Sequence, residues 1–225
     1  MQKKEYGKDD WYRRTTWDSD DQEAFFARLK RSRGQFHIAQ YLRIQAIYLQ
    51  DEYPENALQL LRMIREEFPE PSELASTYLQ TAQCLVAVGK KGESIEWFRK
   101  VLDQEETHKG VQTQGYLDYP IFIVTEEKKD LYSEAKQILL KYVGRLMFPV
   151  DRYRWNMAMA LIEWEEQNNT KAADHAKEAL LASKIGNSGF RYHPKVGLVK
   201  KQDRRIKTLL EKIQKHNKPA QGNPC

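Results

Sequence analysis

The chain has 225 residues, 40% of them hydrophobic, with 12 Tyr, 8 Phe and 5 Trp and a net charge of +5. That is enough apolar and aromatic mass to bury a core, which excludes wholesale disorder. No run approaches the ~18 apolar residues of a membrane helix. The opening MQKKEYGKDDWYRR lacks the apolar stretch of a secretory signal, and Cys84 and Cys225 cannot make a disulfide framework. A soluble cytoplasmic protein without membrane insertion is the expectation.

The charge is unevenly spread. Residues 184–225 hold eleven Lys/Arg against Asp203 and Glu211, a local +9, so residues 1–183 carry −4. Anionic partners are therefore an expectation for the tail and not for the body.

Residues 1–18 read as a polar arm in which Trp11, Tyr12 and Trp17 are able to dock. Ser19-Asp-Asp-Gln22 reads as a capping box for a helix over about 20–31, with Phe25, Phe26 and Leu29 on its apolar side. Helical spacing then predicts a helix over about 36–50, a turn at Asp51–Pro54, and a helix over 54–67 ended by Phe68-Pro69. A second pair follows over about 72–88 and 91–104, turned at Gly89–Gly92. Gly110, Gly115 and Pro120 break the period, and residues 105–125 read as a long loop that packs across a groove, plugs it or gates it. The run 120–124 within it is either a short helix or a buried extended segment. A helix resumes from Leu131 to Leu146. A third, more divergent hairpin is predicted over 151–166 and 170–184. An irregular connector over 185–198 and a basic capping helix over 199–216, with Ile206, Leu209, Leu210 and Ile213 on one stripe, precede the tail 217–225.

The two hairpins between residues 38 and 104 resemble tetratricopeptide repeats, helix–turn–helix units of about 34 residues, as found in uncharacterised bacterial proteins of that class. The family's ordered positions fall on Tyr41, Ile44, Gln45, Tyr48, Ala57, Leu61, Ile64 and Pro69, then on Tyr78, Thr81, Ala82, Leu85, Ser94, Phe98 and Val101. Gln45 stands where the family has a small residue. The resemblance covers 38–104 well and 151–183 in part. It implies an all-α fold, a right-handed superhelix of about three hairpins over residues 19–198 with capping helices at both ends. It also implies a concave groove lined by Leu42, Arg43, Ala46, Leu49, Gln50, Leu79, Gln80, Gln83 and Val86.

No phosphate-cradling loop, nucleophile elbow or zinc-protease motif is present, and no two histidines or cysteines fall at metal-ligand spacing. No catalytic residue, metal or cofactor is expected. Glu163, Glu165 and Glu166 read as the solvated end of a helix. The string Phe190–Lys195 reads either as a docked connector or as an anion- or peptide-binding loop using Tyr192, His193 and Lys195. Lys200, Lys201, Arg204 and Arg205 read either as a solvated face or as phosphate contacts. The expected function is non-catalytic recognition of a partner helix or extended peptide in the groove. The alternative is an adaptor on nucleic acid or another anionic surface acting through the basic helix. The oligomeric state stays open.

Overall fold

A computed structural model describes residues 10–216 of the chain. The chain divides into two compact units, Met1–Gly115 and Tyr116–Cys225. The described residues form α-helices and short 3-10 turns and no strand. The predicted tail 217–225 and the start of the predicted arm lie outside the described residues.

The first unit holds α1 (Ser19–Leu29), α2 (Gln35–Leu49), α3 (Pro54–Glu67), α4 (Pro71–Ala87) and α5 (Lys91–Thr107). Proline begins both α3 and α4, where its missing N–H costs the helix nothing. Helix α2 packs on α3, α3 on α4 and α4 on α5, and α2 also packs on α4. The cap of α1 is Asp18, one residue earlier than the capping box predicts. Its carboxylate accepts from Asp21 N at 2.8 Å, while the Gln22 side chain reaches the Trp17 carbonyl.

The arm is more ordered than its polarity suggests over residues 10–18. Trp11 packs on Phe25 and Tyr41, Tyr12 packs on Tyr41, and Trp17 is buried against Phe25 and Phe26. These rings join the core formed by Leu42, Leu49, Leu61 and Ile64.

The second unit holds α6 (Gly115–Thr125), α7 (Tyr132–Lys141), α8 (Pro149–Glu165), α9 (Asn169–Ala182) and α10 (Arg204–His216), with 3-10 turns at Lys129–Leu131 and Val143–Arg145. The long loop expected over 105–125 is not there. Helix α5 runs on to Thr107, and residues 115–125 are helical with Pro120 inside. Buried Glu105 gathers the short link by accepting from Thr113 N at 2.9 Å and Thr113 Oγ1 at 2.6 Å. Leu117, Tyr119, Ile123 and Val124 are all buried, so α6 is apolar on most sides and shows no helical period. It is tied within its own unit. Tyr116 Oη donates to the Arg145 carbonyl, Tyr119 Oη donates to Glu134, and Asp118 pairs with Arg154. Helix α7 packs on α8, α8 on α9, and α10 on both α8 and α9.

One pattern recurs in both units. The fourth residue of α3, α5, α7 and α9 is small and fully buried: Ala57, Ser94, Ala135 and Ala172. The residues four and seven further on are buried each time, namely Leu61 and Ile64, Phe98 and Val101, Leu139 and Tyr142, Ala176 and Ala179. A small side chain at that place lets a neighbouring backbone come close, and the two beyond it fill the same helix face. Four helices carry the pattern, where the sequence resemblance implies about three hairpins.

The basic capping helix begins at Arg204 and not at 199. Asp203 caps it, accepting from Arg205 N at 2.7 Å. Leu210 and Ile213 are buried on its inner stripe.

Candidate functional site

The expected groove does not form from the residues assigned to it. Leu42, Ala46 and Leu49 are fully buried in the core of the first unit, and Leu79 and Gln80 are buried too. Arg43, Gln50, Gln83 and Val86 keep partial exposure. The cause in α2 is a register shift of one residue. A helix turns about 100° per residue, so one step exchanges core for surface. Ala39, Leu42, Ala46 and Leu49 form the inner face, and Ala46 is the small residue that the resemblance places at Gln45.

Gln45 has another task. Its side chain is fully buried, its Oε1 accepts from Arg14 N at 3.0 Å, and its Nε2 donates to the Arg14 carbonyl at 2.8 Å. One amide thus satisfies both polar groups of a main-chain residue 31 positions away. The Arg14 side chain pairs with Asp21, which also accepts from Thr16 Oγ1 at 2.6 Å. The face of α2 beyond this clamp is Gln40, Arg43, Ile47 and Gln50, spaced by three and four residues along one side, and Ile47 is exposed. Arg43 Nε donates to Glu73 of α4. Seven residues on from Glu73, two turns along the same side, lies Gln80. It is only 8% exposed, and its Oε1 has no hydrogen-bond donor.

In the second unit the connector over 183–203 is a built loop. Ser188 N donates to the Pro194 carbonyl at 2.9 Å, Ser188 Oγ donates to the His193 carbonyl at 3.0 Å, and Val196 N donates to the His193 carbonyl. Phe190 packs on Phe148 with ring centroids 5.4 Å apart. Gly197 lies against the same ring, and its carbonyl accepts from Val150 N at 2.8 Å. Phe190 docks as a connector residue would, while Tyr192 stands at the tip, 79% exposed beneath the Arg191 guanidinium. His193 and Lys195 are exposed beside it. Lys200, Lys201, Arg204 and Arg205 are exposed as well, the first two in the connector and the others opening α10.

A cavity of about 380 Å³ lies between α9 and α10. Lys177, Leu180, Leu181, Ser183 and Lys184 line one side, and Gln202, Lys207, Glu211 and Gln214 line the other. Sequence reasoning missed it, because Lys177 and Lys207 stand on two helices, with Lys184 just past the end of the first, and no local period reveals which sides face each other.

The carboxylates of α8 divide. Glu165 is exposed and pairs with Lys129, as a solvated helix end would. Glu163 is 2% exposed, accepting from Lys136 Nζ at 2.9 Å and Asn168 Nδ2 at 2.8 Å. Burial pushes its carboxyl up, and the bonds from Lys136 and Asn168 outweigh this and hold it below the ordinary value. Its lone pairs are occupied by structural partners. Among the described residues no group of three or more His, Cys, Asp or Glu could hold a metal ion, and no helix is long and apolar enough to cross a membrane. His37 stacks on Tyr41, His108 meets Gln104, His175 meets Asn156 and His216 packs edge-on to Trp164.

No protein family, curated protein or solved structure matches this chain.

Proposed function

We propose that the chain is a non-catalytic interaction scaffold of the tetratricopeptide-like solenoid kind, with an extended peptide of a protein partner as its ligand. The repeated small buried residue in α3, α5, α7 and α9 supports the solenoid reading. The observation that carries the peptide reading is the Gln45 clamp. The first unit already recognises a main-chain residue outside its helices, its own Arg14, through one buried amide. The face of Arg43, Ile47 and Gln50 leaves polar and apolar groups open to a second segment. Because the helices hold these groups in place, little ordering cost opposes binding.

The test is selection of peptides from a display library on the immobilised chain. Ile47→Glu and Gln50→Ala should each lower the affinity of selected peptides by about tenfold or more while leaving the fold intact, because the first puts a carboxylate on the apolar centre of the face and the second removes its amide. Peptides that bind both variants as well as the parent would place the site elsewhere. Leu42→Glu and Leu79→Glu are unsuitable, since both side chains are buried.

The second reading is an adaptor on nucleic acid or another anionic surface, acting in the cytoplasm. It is supported by four exposed cations, Lys200, Lys201, Arg204 and Arg205, none of which is seen in an ion pair among the described residues. Its affinity would fall steeply with salt, whereas the peptide reading predicts binding that survives moderate salt.

A further inference from the structure

The cavity between α9 and α10 combines two properties that the peptide reading does not use. Lys177 and Lys184, two turns apart on the α9 side, both line it, and neither has an acidic partner among the described residues. Lys207 reaches it from α10, and the one carboxylate in the lining, Glu211, stands 4.0 Å from that ammonium. The local balance is therefore three cations to one anion. Leu180 and Leu181 add an apolar wall.

Each property sets a demand on the occupant. Ammonium groups facing one small space repel one another, and a multiply charged oxyanion relieves this better than water does. The apolar wall favours an organic group over a bare inorganic anion. At about 380 Å³ the space suits a small molecule. We propose that this cavity is a binding site for a phosphomonoester, its phosphate among Lys177, Lys184 and Lys207 and its organic part against Leu180 and Leu181. The exposed cations Lys200, Lys201, Arg204 and Arg205 do not line this space, so the site is separable from the basic surface.

The experiment is calorimetric titration of the full chain with glucose 6-phosphate, adenosine 5′-monophosphate, inorganic phosphate, glucose and a single-stranded oligonucleotide. Saturable binding of at least one phosphomonoester, tighter than inorganic phosphate, is expected, with no binding of glucose. The double variant K177Q/K184Q changes only exposed side chains and should weaken binding about tenfold or more at unchanged thermal stability. Three results would overturn the proposal. One is no saturable binding of either ester. Another is ester binding that K177Q/K184Q leaves unchanged. The third is that only the oligonucleotide binds and that replacing Lys200, Lys201, Arg204 and Arg205 abolishes it, which would assign the charge to a polyanion surface.

Discussion

Replacing Gln45 tests whether the arm is held by one side chain. Gln45→Ala deletes both hydrogen bonds to Arg14 and leaves a void at a fully buried position. Each lost bond removes ~0.5–1.5 kcal/mol of net stabilisation, and more where water cannot reach the abandoned group. Arg14 is only half-buried, so water replaces part of what is lost. Together with the void, about 2–4 kcal/mol is expected for the arm's attachment. Gln45→Met keeps the volume and loses only the polar bonds, so it should fall near the low end of that range.

Arm detachment is a local opening, and proteolysis reads it directly. Trypsin cleaves after Arg13 and Arg14, and in the folded chain the Arg14 guanidinium is engaged by Asp21. A loss of about 2 kcal/mol raises the open population, and with it the cleavage rate, about thirtyfold. Mass spectrometry of the released N-terminal fragment gives that rate for parent, Gln45→Met and Gln45→Ala. If both variants are cut at the parental rate, the ring contacts alone hold the arm. The amide would then not be a main-chain reader, and the peptide reading would lose its support.

Other perturbations follow from the same packing. Ser94→Leu and Ala135→Leu each force a large side chain into a fully buried small site and should cost ~1–3 kcal/mol by urea titration; wild-type midpoints would refute the close approach there. Gly197 has φ of +65°, and a Cβ there would lie 2.3 Å from the Phe148 ring, so Gly197→Ala should loosen the connector and speed amide exchange at Val150. Burial pushes the Cys84 thiol up to about 12, so the folded chain should resist alkylation near neutral pH and react on unfolding. The folded state keeps the Cys84 proton longer than the unfolded one, so its contribution to stability is present below the unfolded-state pKa and is lost as pH rises toward 12. His175 moves the other way. Burial lowers its pKa, while Glu163 and Asp174 oppose that shift and Lys136 and Lys171 add to it. The folded state therefore takes up the His175 proton last, and stability should fall as pH drops through the ordinary histidine range, a slope that His175→Gln should flatten.

The sequence marked the helices well where one face is apolar and the ends are punctuated. Helix α3 lies over 54–67 as its spacing predicts, because Pro54 opens it and Leu61 and Ile64 repeat on one side. Helix α6 was illegible for the opposite reason. A segment buried on most sides has no period, and Pro120 there reads as a break. The groove assignments in α2 failed through register. Both Tyr41-Ile44-Tyr48 and Ala39-Leu42-Ala46-Leu49 have helical spacing, and only packing chooses between them. The second set is the small-and-aliphatic stripe, whereas the resemblance to the repeat sets the register on Tyr41, Ile44 and Tyr48. The buried Gln45 that seemed a departure from the repeat is the group that binds the arm.

Two other amides differ from Gln45 in one respect. Gln45 is satisfied by the chain's own backbone, whereas Gln80 Oε1 and Gln202 Oε1 are closed to solvent and have no donor. A buried acceptor without a donor costs about 1–3 kcal/mol. Gln80→Leu and Gln202→Leu should therefore each stabilise the chain slightly, read as a raised urea midpoint. A variant that loses stability instead would show that its amide serves the fold.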